Sequence, residues 1–155
     1  VLRRSIIPIA LLLLYVASPY VTLWRLSGAL VADDREALAS MVDLEAIRDE
    51  LRRRLNKEAE SRIGPLSDGF IDWLEQGIRR NGVAAIEHQV TLDWVRERLL
   101  AHSPPDSGLW PALEYAFFDH PLHVTVRLGD GGGSSVVGGL GLNIRGWRLT
   151  SLYDR

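Results

Sequence analysis

The chain has 155 residues, 25% of them charged, with 18 lysines and arginines against 20 aspartates and glutamates and a formal charge of −2. That length supplies one domain around a single core, and the slight acidity excludes the basic stripe that phosphate-backbone binding needs, so nucleic acid is not an expected partner. With no cysteine, structural disulfides, thiol catalysis and thiol-linked lipid are excluded as well.

Residues 1–4 read as a basic cytoplasmic start, with Arg3 and Arg4, and residues 5–24 as a transmembrane anchor. From Ser5 to Trp24 there is no charge, and a helix of that length covers roughly 30 Å, the thickness of a bilayer's hydrocarbon core. The rival reading is a cleaved signal peptide with Ile6 to Val16 as its apolar core. A cut after Ser18 leaves Pro19 just past the scissile bond, and a cut after Ala17 puts bulky Tyr15 where a small residue is wanted. The apolar pattern also continues through Tyr20, Val21, Leu23 and Trp24, with Tyr15, Tyr20 and Trp24 suited to headgroup level. The uncleaved anchor is the favoured reading, and its lipid bilayer is the first expected partner. Arg3 and Arg4 outnumber Arg25 on the far side, so the amino end is expected in the cytoplasm and residues 25–155 outside it. Lys57 is the only lysine beside many arginines, a usage that fits a GC-rich bacterial genome. The expected location is therefore the bacterial inner membrane, with the domain in the periplasm.

Residues 25–155 read as one α+β domain, with helices over about 25–102 and strands over about 113–153. Leu23, Leu26, Ala29 and Leu30 keep helical spacing, so the anchor runs on as the first helix of the domain. Asp33 or Asp34 caps a short helix with Ala37, Leu38, Met41 and Val42. Asp43 is placed to cap the next, which carries Leu44, Ile47, Leu51 and Leu55 on one face. Its cluster Arg52, Arg53, Arg54 has Asp49, Glu50 and Glu58 at helical offsets, which predicts an ion-paired solvated face. Gly64 and Pro65 end this unit. Ser67 or Asp68 begins a helix with Phe70, Ile71, Trp73, Leu74 and Ile78, closed by Asn81 and Gly82, and Val83, Ile86 and Val90 add a turn or two. Thr91 caps Leu92 to Ala101, stopped by Pro104 and Pro105.

After Pro111 the period changes from helical to alternating. Leu122, Val124, Val126 and Leu128 alternate with His123, Thr125 and Arg127, and Leu140, Leu142 and Ile144 alternate with Gly141, Asn143 and Arg145, as half-buried strands do. Gly129 to Ser135 reads as a glycine-rich loop between them. Arg145 and Gly146 turn into a last strand with Trp147, Leu149 and Tyr153, and Tyr115 to Phe118 add a leading one. Helices first and an antiparallel meander last make an α+β fold with several helices packed on a C-terminal antiparallel sheet.

The segments Ala17-Ser18-Pro19-Tyr20, Leu26 to Ala29, Asp33-Asp34 before an alanine and leucine run, Val42-Asp43-Leu44, and Gly146-Trp147-Arg148-Leu149-Thr150 together resemble a bacterial family known only as a domain of unknown function, the DUF2939 family. The resemblance covers nearly the whole chain. It implies an amino-terminal membrane segment, several helices and terminal strands ending in a tryptophan motif, and it brings no catalytic residue to carry over. The order of elements is also similar, by fold analogy only, to the NTF2-like or cystatin-like roll.

Chemistry-bearing residues are sparse. His120 and His123 beside Asp119 are the nearest thing to a metal cluster, but three apart on a strand they face opposite sides unless Pro121 bends the chain, so a surface turn is expected. His88 and His102 stand alone. Gly131 to Gly133 and Gly138, Gly139 and Gly141 lack the following helix and lysine of a phosphate loop, and no GxSxG elbow occurs. Asp119 and Glu114 could pair across the sheet as acid and base, against a default of salt links. No catalytic, cofactor-binding or metal residue is assigned. Of the five tryptophans, Trp24 suits the membrane interface and Trp73 and Trp147 the core. Trp94 and Trp110, with Phe117 and Phe118, form a candidate ligand or partner surface, against plain core packing. The expected function is non-catalytic binding of an envelope protein or a small apolar ligand. The alternative is a carboxylate-based hydrolase or isomerase in an NTF2-like cavity, and a third possibility is an assembly protein whose anchor or helix Leu44 to Leu55 pairs in a membrane complex.

Overall fold

The computed structural model describes residues 2–62, 80, 82, 84–129 and 135–154. Four helices come first: α1 (Leu2–Val31), α2 (Arg35–Met41), α3 (Leu44–Arg62) and α4 (Leu92–Leu100). Residues 84–89 are also helical, with Ile86 half-buried and Val90 buried behind it. A single 3₁₀ turn at Trp110–Ala112 leads into strands β1 (Leu113–His120), β2 (His123–Gly129), β3 (Ser135–Asn143) and β4 (Gly146–Asp154). They form one antiparallel sheet in the order β1-β2-β3-β4, so the architecture is the expected α+β. The expected helix around Phe70, Trp73 and Ile78, the stop at Gly64 and Pro65, and Gly131 to Gly133 lie outside the described residues.

The caps explain where the helices begin. Asp34 accepts from the Ala37 amide at 3.0 Å to open α2, Asp43 accepts from Ala46 at 3.1 Å to open α3, and Thr91 accepts from Trp94 at 3.2 Å to open α4. Each side chain satisfies an amide that the first helical turn leaves without a partner. Asp33 turns the chain with a φ of 52°, a left-handed conformation that aspartate tolerates better than most residues. Between α2 and α3 the backbone is extended, and Val42 bridges Leu149 while the Asp43 amide donates to the Leu149 carbonyl at 2.9 Å. Arg148 secures the same join, donating to the carbonyls of Ala39 and Val42.

The core lies between one face of the sheet and the helices. Leu23, Leu26 and Leu30 of α1, Leu38 and Met41 of α2, and Val95 and Leu99 of α4 are buried with Val124, Val126, Leu128, Val136, Leu140, Trp147, Leu149 and Leu152 of the sheet. The expected alternation of β2 is present. Two strand limits differ from expectation: Leu122 and Ile144 are exposed turn residues, and β3 begins at Ser135, within the expected glycine-rich link, whose ends Gly129 and Ser135 pair in the ladder. Glycine weakens an isolated strand, yet β3 is bonded to β2 on one side and β4 on the other, and the sheet overrides the local preference.

α1 is one unbroken helix, although Pro19 lies inside it. Proline has no N–H to give the carbonyl four residues back. The Ser18 hydroxyl takes over that carbonyl, donating to Tyr15 O at 2.6 Å, and Ser18 Oγ in turn accepts from Trp147 Nε1 at 2.7 Å. Ser18→Ala strips a partner from both groups at once and is expected to lower stability by about 2 kcal/mol, read by denaturant unfolding of the detergent-solubilised chain. Leu30→Ala, which opens a cavity under α1, is expected to cost about 2–5 kcal/mol in the same measurement.

Candidate functional site

Three surfaces of the described residues are shaped to receive something. The first lies where α1 emerges from the domain. Tyr15 meets Phe118 with ring centroids 5.7 Å apart and Trp147 at 6.4 Å, Phe118 meets Trp147 edge-on at 5.7 Å, and the Tyr20 hydroxyl donates to Ala116 O at 3.0 Å. A mainly apolar cleft runs between Tyr15 and Val16 on α1 and Phe118 to Pro121 on β1 and its turn. Beyond it, Ile7, Ile9 and Leu11 to Leu14 are exposed on every side of the helix, a distribution that an aqueous surface disfavours and lipid accepts.

The second surface is a groove of about 620 Å³ between the later part of α1, α2 and the loop before β1, lined by Trp24, Gly28, Val31, Met41 and Trp110 among others. Trp24 is 66% exposed and Trp110 46%. Gly28 makes the notch, since a Cβ there would meet nothing within 4 Å. Ser27, buried beneath, accepts from the Leu109 amide at 3.0 Å and fixes the loop that carries Trp110.

The third is a polar hollow of about 420 Å³ on the sheet face opposite the α1 core, between Ala46, Glu50, Arg53 and Arg54 of α3 and a floor of Asp119, His123, Thr125, Gly138, Ser151 and Tyr153. Across that floor Thr125 pairs with Gly139, which pairs with Ser151. Asp119 Oδ1 holds His123 Nδ1 at 2.6 Å, and Oδ2 accepts from the Thr125 hydroxyl at 3.1 Å. A Cβ on Gly139 would come to 2.4 Å from both His123 Nε2 and Ser151 Oγ. Only glycine lets the imidazole lie across β3 with its second nitrogen toward the serine. Burial opposes the Asp119 charge, but the hydrogen bond and charge of His123, a backbone bond and the Thr125 hydroxyl outweigh it and hold the carboxyl below its ordinary 3.8. Above the hollow Glu50 binds both Arg53 and Arg54, at 3.0 and 2.9 Å, and the Arg54 guanidinium lies 3.5 Å over the Tyr153 ring.

The four aromatic candidates are dispersed. Trp110 lines the groove and Phe118 the cleft beside Tyr15. Phe117 points to the opposite face, stacked on Tyr115 at 4.9 Å and largely exposed. Trp94 is half-buried on α4 with Arg98 5.6 Å over its ring. The surface turn expected at Asp119 to His123 is present, with Pro121 and Leu122 at its tip; His120 and His123 pair across it, and a register shift in β1 brings Asp119 onto His123. Glu114 does not join Asp119. It binds Arg127 at 2.8 Å. Of the ion pairs expected of the arginine cluster, Asp49 holds Arg52 and Glu50 its neighbours, Arg52 adds Glu87 at 2.7 Å, and the side chain of Glu58 lies outside what the structure describes. Among the described residues no three histidine, aspartate or glutamate side chains could hold a metal ion. Ser151 and Gly139 escaped sequence reasoning, because only strand register sets them beside His123.

Fold and surfaces together define an α+β domain built onto the inner part of a long apolar amino-terminal helix, of which Ile7–Val31 is long and apolar enough to cross a membrane. The chain belongs to the family described as protein of unknown function (DUF2939), which matches residues 9–98. No curated protein and no solved structure matches it.

The lowered Asp119 carboxyl makes a pH prediction. A group whose folded value is depressed adds stability that is present above its unfolded value and lost as pH falls through the folded one. The difference in unfolding free energy between the native chain and Asp119→Asn should stay open above pH 3.8 and close as the solution is acidified further. Gly139→Ala, which must push the imidazole aside, is expected to cost about 1–3 kcal/mol and to shift the His123 ring resonances in NMR spectra.

Proposed function

We propose that this protein is a single-pass protein of the bacterial inner membrane whose domain stands in the periplasm and works by binding an envelope protein, without catalysis. The observation that carries this reading is the groove at Trp24 and Trp110: two large aromatic rings exposed on either side of a glycine notch, with Met41 in the wall. Exposed tryptophan in a concave apolar setting is the composition of protein-binding centres. The groove sits on the part of α1 that follows the exposed apolar stretch, so an anchored chain presents it close to the membrane surface. Arg3 and Arg4 at the amino end support the orientation by the positive-inside tendency.

The test is a photo-crosslinking residue in place of Gly28 in the full-length chain, irradiated in cells. A Cβ at Gly28 would meet nothing within 4 Å, so the side chain starts into open space. A discrete protein adduct that disappears in the Trp110→Ala background is expected. Adducts to lipid only, or a protein adduct indifferent to Trp110→Ala, would overturn the groove as a partner site.

One observation favours a second reading, acid–base hydrolysis or isomerisation in the polar hollow. Asp119 holds Nδ1 of His123 and leaves Nε2 beside Ser151, the order of groups in a serine triad. Turnover of simple esters or enolisable ketones by the full chain, abolished in both His123→Ala and Asp119→Asn, would establish it. Rates equal to buffer would dismiss it.

A further inference from the structure

The turns at one end of the sheet point along α1 toward its exposed apolar stretch. Contacts with α1 run in reverse chain order: the Leu109 amide reaches Ser27, Ala116 is bonded by Tyr20, and Phe118 packs on Tyr15. β1 therefore runs back along α1 toward the amino end, and the next residues, Pro121 and Leu122, turn beside or beyond Tyr15. The Leu142 amide donates to Leu122 O at 2.9 Å, and Trp147 is tied to Ser18, so the β3–β4 turn lies at the same end. Turn tips normally carry glycine, asparagine, aspartate or serine. Here they carry Leu122, 59% exposed, and Ile144, wholly exposed at 102%.

We infer that these two tips dock into the outer headgroup layer of the same bilayer that α1 enters, so that the domain rests on lipid at three points. This rests on the reading of α1 as an anchor. A lone exposed leucine or isoleucine needs no explanation, but the length of α1 gives these two one. Between Arg4 and Tyr15 there are only the uncharged residues from Ser5 to Leu14, about 15 Å of helix against a hydrocarbon core of about 30 Å. From Tyr15 onward the helix is accompanied by the sheet. A helix that enters the bilayer by that free stretch brings the near end of the sheet down to the membrane boundary. The neighbours of the tips set the depth. Asp119, His120, Asn143 and Arg145 are exposed there, and charges are excluded from hydrocarbon. Leu122 and Ile144 therefore reach the boundary of headgroups and acyl chains while Arg145 meets lipid phosphates.

The chain has no cysteine, so single thiols can be placed without background. Leu12→Cys, Glu97→Cys, Leu122→Cys and Ile144→Cys versions of the full chain, each carrying a bimane label, would be reconstituted in phosphatidylcholine and phosphatidylglycerol vesicles. All four side chains are exposed, so the substitutions spare the core. Brominated lipid should quench the labels at 12, 122 and 144 several-fold more than the label at 97, which sits on α4 beside the residue that bonds Leu30 O. If position 12 is quenched by brominated lipid while 122 and 144 answer only to aqueous iodide, or to neither quencher, the anchor stands and the docking of the tips is wrong. If position 12 also answers to iodide, the anchor reading itself fails and the inference falls with it.

Discussion

A serine beside a proline holds the structure together at its most exposed joint. Pro19 leaves the Tyr15 carbonyl without an intrahelical donor, and Trp147, the second residue of the last strand, brings a buried indole N–H that needs an acceptor. Ser18 answers both, donating to one and accepting from the other. The bond spans nearly the whole chain, from the long apolar helix to the hairpin that ends the sheet. Around it Tyr15, Phe118 and Trp147 close an aromatic cluster. Without that joint, the helix would be free to kink at the proline.

The continuity of α1 has mechanical consequences. Its first part is exposed and apolar on every side, while Leu23, Leu26 and Leu30 are buried among the strands. The exposed apolar part and the core part are one helix, so the orientation of the sheet follows from that of the helix. On the proposed reading, a groove fixed at Trp24 and Trp110 is offered at a constant height above the bilayer, which lowers the orientational cost of meeting a partner held there.

The two faces of the sheet divide the work. One is aliphatic and takes the helices. The other carries His123, Thr125 and Ser151 over a glycine-rich central strand, roofed by a helix whose arginines are held by Glu50. Gly139 and Gly141 serve this second face: without side chains they bring hydroxyl and imidazole groups down onto the backbone itself. That arrangement creates a polar hollow, whereas the apolar surfaces lie along α1.

Patterning that depends on neighbours in the chain was legible in the residues. The charge-free stretch behind Arg3 and Arg4, the caps at Asp34, Asp43 and Thr91, the apolar face through Ile47 and the alternation of Val124, Val126 and Leu128 all follow from helical or strand geometry acting over a few residues. The family resemblance rested on segments of the same kind. What lay beyond reach depended on register and on contacts between distant segments. Strand alternation predicts which side of the sheet a residue faces, but not that Ser151 stands opposite Gly139 or that an irregular β1 swings Asp119 onto His123. Nor could local preference see that Gly138 and Gly139 belong to a strand, because their place in the ladder is secured by hydrogen bonds from both neighbours. Sequence by itself determined the described elements, their order and the apolar amino-terminal helix, since those are set by local sterics and by burial periodicity. Tertiary structure alone decided the polar hollow, the Trp24 and Trp110 groove and the end of the sheet that lies toward the exposed part of α1, since each is assembled from residues far apart in the chain and brought together only when the core closes.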